Sequence, residues 1–267
     1  MTHNPATLFD LERYPLDQPH STAWTELLEH CRQALDTQGM FTLEGLVHPA
    51  ACEQAVAGIN PVMQTESFEH RRRHNVYFQE DVPGLPADHP ALRKLETVNH
   101  TLCADQLQGQ IIETLYTYTP LVRFLAAALR KPDLYLMEDP LARVNVMAYR
   151  AGEALNWHFD RSEFTTTLLL QSPESGGVFE YRNALRSDRD PNYPGVATVI
   201  NQEDPATREL ALEPGALNVF RGKNTLHRVT PVQGPRERLI AVFSYYEHPG
   251  KRFSREEQLG FYGRSVP

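Results

Sequence analysis

The chain has 267 residues, of which 41% are apolar and 22% are charged, and its formal net charge is -8. These proportions are ordinary for a globular protein that can bury a core, as one large domain or two small ones. The acidic balance argues against a nucleic-acid-binding protein, which normally carries a basic excess or a basic stripe. The one local basic run, Arg71 to His74, is too short to follow a phosphate backbone. We therefore expect no nucleic-acid partner.

The N-terminal residues contain neither a basic stretch nor an apolar core of the kind found in secretory signals. No apolar run approaches the length of a membrane span. The cysteines, Cys31, Cys52 and Cys103, are odd in number and scattered, which argues against a disulfide framework or a cysteine metal site. The sequence therefore predicts a cytoplasmic protein that does not bind membranes.

The first half of the chain is dominated by helical patterns. Apolar residues recur at helical spacing from Thr22 to Gln38, with Ser21 or Thr22 as N-cap. A short strand in "GMFTLEGL" and a helix in "HPAACEQAVAGIN" follow. Residues 61–90 are rich in charge and proline and predict an irregular segment, and residues 91–129 predict helix.

After Pro132 the pattern changes to short strands separated by turn signals such as "SPESGG" and "QGPRE". The predicted strands are "LYLME", "RVNVMAY", "TTTLLL", "GVFEY", "VATVIN", "RELAL", "GALNVFR", "HRVTPV" and "RLIAVFSYY". Many short strands at regular spacing favour a mainly β fold with flanking helices, in which a jelly roll carries an N-terminal helical layer. We expect a single domain over 1–267, with helical support and a lid in 1–131, the jelly-roll core in 132–250 and a C-terminal segment in 251–267. A separate helical domain is the alternative, although no linker marks the boundary.

The stretch "NWHFD" carries the first chemical signal. In a strand, residues i and i+2 point to the same face, so His158 and Asp160 project together. An imidazole and a carboxylate on one face are two of the three ligands of the facial triad that binds Fe(II) and leaves coordination positions open. His227, which opens a later strand, is the best candidate for the third ligand.

Arg236 and Arg238 come soon after His227, at the edge of the last strong strand, and Arg238 opens the apolar strand "RLIAVFSY". A guanidinium at this position can bind the distal carboxylate of 2-oxoglutarate through two hydrogen bonds. Arg236 lies in the turn and is expected to be solvated. The His-x-Asp spacing alone is a weak signal in a chain with 11 histidines. The ordered set of His158, Asp160, His227 and Arg238 is much stronger.

At these residues the chain resembles the Fe(II)/2-oxoglutarate-dependent oxygenases. Within them it is similar to the BesD/HalD-like group, which holds radical halogenases of free amino acids and their hydroxylase relatives. The resemblance rests on "NVYF", "EDPLARVNVMAYRAGEALNWHFDRSEFTTTLLLQSPESGGVFEY", "LEPGALNVFRGKNTLHRVTPVQGPRERLIAVFSYYEHPG" and "FYGR". It covers most of the chain from about residue 75 onward and implies a double-stranded β-helix fold.

The resemblance implies that His158 and His227 are the iron histidines and that Arg238 binds 2-oxoglutarate. It also implies Fe(II), 2-oxoglutarate and O2 as cofactors. The halogenases have a small residue at the carboxylate position, which leaves room on the metal for chloride. Asp160 departs from that pattern, so this member looks like a hydroxylase that forms succinate and CO2.

Several further residues are weaker candidates. Tyr149 could direct its hydroxyl at 2-oxoglutarate or could simply pack. Arg143 and Asn145 share a strand face and could meet a substrate or a structural acid, and Glu138 could meet a substrate ammonium or lie on the surface. Arg161 follows the metal motif and is expected to point away from it unless the strand bends there.

The segment before "VYF" could cover the mouth of the barrel, because functional loops often occupy that place. Arg73, His74 and Asn75 in this segment could bind a substrate carboxylate, with a solvated charge run as the alternative. We expect a small-molecule substrate, and the leading hypothesis is a free amino acid. The alternatives are a peptide or carrier-bound substrate, another metabolite, or a cupin-like metal protein that does not use 2-oxoglutarate. The oligomeric state stays open, with a homodimer as one expectation.

Overall fold

The computed structural model describes residues 3–267. Four of the six α-helices described in this part of the chain come before residue 130, one lies between two strands of the second half, and one lies near the C-terminus. The α-helices are α1 (Thr22–Gln38), α2 (Pro49–Glu66), α3 (Ile111–Thr117), α4 (Thr119–Ala128), α5 (Tyr193–Ile200) and α6 (Arg255–Tyr262). Short 3-10 helices span Pro5–Thr7, Pro90–Leu92 and Ala104–Leu107.

The strands run from the N-terminal part to the segment before α6. They are β1 (Met40–Leu43), β2 (Phe68–His74), β3 (Leu95–Leu102), β4 (Tyr135–Leu136), β5 (Val144–Tyr149), β6 (Leu155–His158), β7 (Thr165–Gln171), β8 (Ser175–Gly176), β9 (Phe179–Arg182), β10 (Arg208–Leu210), β11 (Leu217–Phe220), β12 (Leu226–Val229), β13 (Val232–Gln233), β14 (Arg238–Phe243) and β15 (Tyr245–Tyr246).

A seven-stranded antiparallel sheet forms the larger wall of the protein, in the order β1-β11-β7-β14-β5-β3-β2. One of its faces packs against the helices. Val146 of β5 and Leu239 of β14 belong to this core together with Leu28 of α1 and Phe124 of α4. Because side chains alternate along a strand, Tyr149 lies in a separate cluster, on the face turned away from the helices.

A four-stranded antiparallel sheet, β10-β9-β12-β6, completes the core of the fold. Phe179 of β9 and Val229 of β12 pack with Phe220 of β11, which links the two sheets. The fold is the double-stranded β-helix predicted from the sequence, with helices on the outer face of the large sheet. The described strands place the ends of β6 and β12 side by side, where His158 and His227 form a register pair.

The prediction for residues 61–129 is wrong in two places. Residues 61–90 are not irregular throughout, because α2 continues to Glu66 and β2 follows it. Residues 91–129 are not continuous helix, because Leu95–Leu102 forms β3 between β2 and β5. This segment contains the β-branched residues Thr97, Val98 and Thr101, which favour a strand once sheet partners supply hydrogen bonds.

The run "VATVIN" was predicted as a strand, but it lies in α5. The Asn192 side chain accepts a hydrogen bond from Gly195 N, and Pro194 occupies the first turn. Both features favour a helix start. Val196 and Val199 then face a buried cluster at helical spacing. Tertiary burial of this apolar face therefore overrides the strand preference of its valines.

All three cysteines, Cys31, Cys52 and Cys103, are buried and free. Among the described residues, no helix combines the length and apolar character needed to cross a membrane.

Candidate metal centre

The structure brings His158, Asp160 and His227 together. One ligand atom from each residue lies within 4.8 Å of those from the other two. Asp160 Oδ1 is 3.3 Å from His158 Nε2, and Asp160 Oδ2 is 3.6 Å from His227 Nε2. Facial ligands of an octahedral ion with bonds of about 2.1 Å lie about 3.0 Å apart. The cluster can therefore close around one ion with small side-chain adjustments.

Both histidines are oriented in the same way. His158 Nδ1 is 2.8 Å from Asn156 O, and His227 Nδ1 is 3.0 Å from Thr225 O. A carbonyl oxygen can only accept a hydrogen bond, so each Nδ1 carries the proton. This tautomer leaves each Nε2 with a lone pair directed into the cluster, as a metal ligand requires.

Burial and neighbouring charges shift the pKa values of His227 and Asp160. Burial lowers the pKa of His227 to about 4, and repulsion from His158 acts in the same direction. Aromatic rings line this side, since the centroids of Phe220 and Phe179 lie 4.9 and 5.5 Å from that of His227. Burial opposes ionisation of Asp160, but His227, His158 and Thr165 together hold the pKa of its carboxyl well below the usual range. A neutral imidazole and a carboxylate are the forms that bind metals.

Asp160 is held from both its backbone and its side chain. Its amide donates to Gly222 O at 3.1 Å, and Thr165 Oγ1 donates to Oδ2 at 2.5 Å. Gly222 permits this arrangement because a Cβ at that position would collide with Asp160 Oδ2 and would lie 2.6 Å from Thr165 Oγ1. The carboxylate orientation therefore depends on the turn after β11 as well as on β6.

Arg238 lies at the start of β14, opposite Tyr149 of β5. Only 3% of Arg238 is exposed, and its Nη1 has no hydrogen-bond partner in the described part of the chain. Its Cζ lies 5.9 Å from the centroid of the Tyr149 ring, and burial lowers the pKa of the guanidinium. Gly177 gives it space, because a Cβ there would approach Arg238 Cδ to 3.0 Å. A buried, incompletely bonded guanidinium fits a carboxylate ligand such as 2-oxoglutarate.

The two neighbouring candidates for this role differ. Tyr149 is 1% exposed, and its hydroxyl contacts only Met147 Sδ, at 3.9 Å. Burial raises the pKa of Tyr149 to about 12, so it is a neutral hydrogen-bond donor. Arg236 is exposed and donates to Pro173 O, as expected for a residue of the turn.

The segment after β2 approaches the cluster, but its predicted residues have different positions. His74 is buried and its ring stacks on Phe78, whose edge faces the His158 ring with a centroid distance of 6.0 Å. Asn75 is also buried and bonds to the backbone of its own loop. Arg73 is exposed and reaches Lys94 O at 3.4 Å, away from His74 across the strand.

Four other candidates are bonded to structural partners. Arg143 Nη2 donates to Glu113 Oε1 at 3.2 Å, which matches the structural alternative for this residue. Asn145 donates to Leu141 O and accepts from the Tyr262 hydroxyl. Glu138 is exposed and accepts from Gly250 N at 3.0 Å. Arg161 is exposed and pairs with Glu257 of α6 at 2.8 Å. A substrate role for these four side chains stays a prediction.

Sequence reasoning missed Arg72, Phe78, Thr165 and Gly222. The Arg72 Cζ lies 5.2 Å from the Phe78 centroid, on the strand face that it shares with His74. Recognition of β2 as a strand would have selected Arg72 rather than Arg73 by the i, i+2 rule. The contacts of Thr165 and Gly222 with Asp160 depend on how the loops fold and have no local sequence signal.

Comparison with known families places this geometry in context. The family model described as halogenase D matches residues 23–258. The chain belongs to the halogenase D family. This membership confirms the resemblance seen in the sequence and makes the protein an Fe(II)/2-oxoglutarate-dependent oxygenase. Its cofactors are therefore Fe(II), 2-oxoglutarate and O2, and the His158, Asp160, His227 cluster fits the metal.

Solved structures share the fold at low sequence identity. A 2-oxoglutarate-Fe(II) oxygenase family oxidoreductase from Burkholderia pseudomallei has 15% identity and a TM-score of 0.50, with 84% of this chain and 92% of that chain covered. A Pseudomonas putida prolyl-4-hydroxylase has 16% identity and a TM-score of 0.53, with 81% and 97% covered. HygX from Streptomyces hygroscopicus, solved with nickel and 2-oxoglutarate, has 13% identity and a TM-score of 0.56, with 84% and 89% covered. No curated protein matches the sequence significantly.

Proposed function

We propose that the protein hydroxylates an unactivated C–H bond of a free amino acid and forms succinate and CO2 as coproducts. The observation that carries this proposal is the Asp160 carboxylate, which lies within 3.6 Å of the Nε2 atoms of both histidines. The halogenases of the family have a small residue at this position and leave room for chloride on the metal. A third protein ligand occupies that room here and favours hydroxylation over halogen transfer.

Each residue of the site has a role that follows from its environment. When bound, Fe(II) and 2-oxoglutarate together activate O2 and supply the oxidising power for C–H cleavage. His158, Asp160 and His227 would hold the ion, and the carbonyls behind the two histidines keep them in the required tautomer. Arg238 would bind the distal carboxylate of 2-oxoglutarate. The aromatic rings around His227 exclude water from the reacting centre.

A small substrate with a carboxylate is supported by Arg72, which lies over the Phe78 ring beside His158. Arg72 has no carboxylate within ion-pair distance among residues 3–267, whereas its neighbour Arg71 pairs with Glu69 and Glu96. We assign the α-carboxylate of the substrate to Arg72 instead of Arg73. The homodimer and the cytoplasmic location stay predictions.

Purified protein should be incubated in air with Fe(II), 2-oxoglutarate and pools of the free proteinogenic amino acids, with mass spectrometry as the readout. We expect one amino acid to gain one oxygen, in proportion to the succinate formed. The Asp160→Ala and His227→Ala variants should form neither product, and Arg236→Ala should match the wild type because its side chain lies in the exposed turn.

The other outcomes distinguish the alternatives. Formation of succinate without a modified amino acid would mean that the substrate is a peptide, a carrier-bound molecule or another metabolite. Absence of succinate above the level without enzyme, from protein shown to contain iron, would refute the proposed reaction.

A further inference from the structure

Phe78 combines two features that rarely occur together in a stable loop. Its backbone has φ of 57°, in the left-handed region that side chains other than glycine seldom adopt. Its side chain is also a large apolar group that remains 40% exposed. Neither feature stabilises the fold, and strained backbone of this kind concentrates at functional sites. The position of the ring therefore needs another explanation.

The buried Asn75 side chain imposes this conformation. Asn75 Oδ1 accepts from Tyr77 N at 3.0 Å and from Gln79 N at 3.3 Å, and its Nδ2 donates to Gln79 O at 2.5 Å. Phe78 N donates to Asn75 O at 3.2 Å. These bonds fix the backbone on both sides of Phe78 and thereby the direction in which its side chain leaves the loop.

The Phe78 ring is held beside the metal centre. It stacks on His74 with a centroid distance of 4.2 Å and an interplanar angle of 17°. Its edge contacts the ring of the metal-binding candidate His158 at 6.0 Å and 80°. The Arg72 guanidinium carbon lies 5.2 Å from its centroid. An exposed apolar surface thus lies between a free cation and the metal ligands.

We infer that Phe78 is a specificity-determining residue, whose ring packs against the uncharged aliphatic side chain of an amino acid bound through its carboxylate to Arg72. This inference rests on the proposed function and adds the substrate class. Aliphatic groups gain from contact with an aromatic surface that would otherwise face water. The ring can also fix the distance between the carboxylate and the carbon presented to the metal.

The charges around Phe78 select against a basic side chain. Arg72 lies over its ring, and the Arg186 Cζ lies 3.8 Å from the ring centroid of Phe159, the residue between His158 and Asp160 in the chain. Two acids of this region have partners, since Asp160 belongs to the metal cluster and Glu80 pairs with Lys94 at 2.5 Å. A substrate ammonium at the end of a long side chain would be repelled by the Arg72 guanidinium beside the ring. Lysine is therefore disfavoured as substrate.

The test is a binding measurement on protein loaded with Ni(II) and 2-oxoglutarate, in which no turnover occurs. Calorimetry with L-leucine, L-isoleucine, L-valine and L-proline, and with L-lysine for comparison, gives the affinity of each. We expect at least one aliphatic amino acid to bind more tightly than lysine. Phe78→Ala should weaken that binding by about tenfold, since it removes the apolar contact. Binding of 2-oxoglutarate should not change.

Two further variants separate substrate contact from a structural role. Phe78→Gly also removes the ring but relieves the left-handed backbone, so its melting temperature should equal or exceed that of Phe78→Ala while substrate binding is equally weak. Leu259→Ala removes another exposed apolar side chain, on α6, and should bind like the wild type.

Each contrary result has its own meaning. Wild-type affinity for the aliphatic amino acid in both Phe78 variants would overturn the role of Phe78 and leave the proposed function intact. Tighter binding of lysine than of every aliphatic probe would overturn the substrate class. Failure of all five amino acids to bind wild-type protein that still binds 2-oxoglutarate would overturn this inference, and the pooled incubation would then decide whether any free amino acid is the substrate.

Discussion

Gly222 and Asp160 are in direct contact at the metal centre, and the absence of a side chain on Gly222 leaves room for the Asp160 carboxylate. The Asp160 amide donates to Gly222 O at 3.1 Å, and a Cβ on Gly222 would collide with the Asp160 carboxylate. Gly222 is therefore needed for its small size, and its φ lies outside the left-handed region. The turn after β11 therefore helps to position the Asp160 carboxylate, which follows β6.

Gly222→Ala should weaken Fe(II) binding by about 10- to 100-fold, the usual effect of disturbing groups that orient a metal ligand. The added methyl displaces the Asp160 carboxylate or its hydrogen bond with Thr165. The measurement is a titration with Fe(II) under nitrogen in the presence of 2-oxoglutarate, followed by the visible charge-transfer absorption.

Gly260→Ala provides the matched control. Gly260 lies in α6, where an added Cβ meets no atom within 4 Å. This variant should bind Fe(II) like the wild type. Equal affinities for Gly222→Ala and Gly260→Ala would show that Asp160 does not ligate the metal in the orientation described here.

Replacement of the buried cation should separate stability from cosubstrate binding. Arg238→Met should weaken the binding of 2-oxoglutarate by at least about 100-fold, because two hydrogen bonds to a charged group are lost. Without 2-oxoglutarate the same variant should be as stable as the wild type or more stable, since a buried and incompletely bonded guanidinium opposes folding. Thermal denaturation with and without 2-oxoglutarate, in the presence of Ni(II), measures both effects.

The exposed Arg236 is the control for Arg238, because the two arginines are close in sequence and differ in burial. Arg236→Met should keep the full stabilisation by 2-oxoglutarate. If Arg238→Met is strongly destabilised, Arg238 must stabilise the fold through an interaction other than the hydrogen bonds described for residues 3–267.

The metal-free protein should become less stable as the pH is lowered, partly because of His74. Burial lowers the pKa of His74 from 6.5 to about 4. Between these values the unfolded chain binds a proton that the folded protein does not, so the free energy of unfolding decreases as the pH falls from 6.5 to 4. One such group contributes up to about 1.4 kcal/mol per pH unit.

Chemical denaturation at several pH values between 4 and 7 tests this prediction. His74→Gln should have a shallower dependence than the wild type, and His227 contributes in the same direction in both proteins. His30 is exposed, and His30→Gln should retain the wild-type dependence. Identical curves for all three proteins would show that His74 is not buried in its neutral form.

The parts of the site that follow strand periodicity could be predicted from the sequence. His158 and Asp160 are two residues apart, and Arg238 opens an apolar strand, so local patterns placed each of them on the inner side of the barrel. His227 required only the assumption that its strand enters the same barrel. The candidate residues for the metal and for 2-oxoglutarate can therefore be selected from short sequence segments without knowledge of the tertiary structure.

The substrate side could not be predicted in the same way. The alternation along β2 decides between Arg72 and Arg73, but the charges of this edge strand hide its strand character. Phe78 takes its place through the side chain of Asn75 and through stacking on His74, neither of which leaves a periodic pattern. The hydrogen bond of Asn145 could not be predicted either, because its partner Tyr262 comes from α6, more than a hundred residues later.

Asp160→Gly tests the feature that distinguishes this chain from the halogenases of its family. Removal of the carboxylate leaves the two histidines and opens a coordination position, so hydroxylation should fall by at least about 100-fold. The measurement is the hydroxylated amino acid formed in the pooled incubation, with and without added chloride.

Arg238 and Tyr149 lie at the other end of β7 from Thr165, so 2-oxoglutarate should still stabilise the Ni(II)-loaded variant. Thr165→Val, which removes only the hydrogen bond to Asp160, should lose less activity than Asp160→Gly. Hydroxylation at the wild-type rate by Asp160→Gly would exclude Asp160 as a required ligand and remove the main support for the proposed reaction.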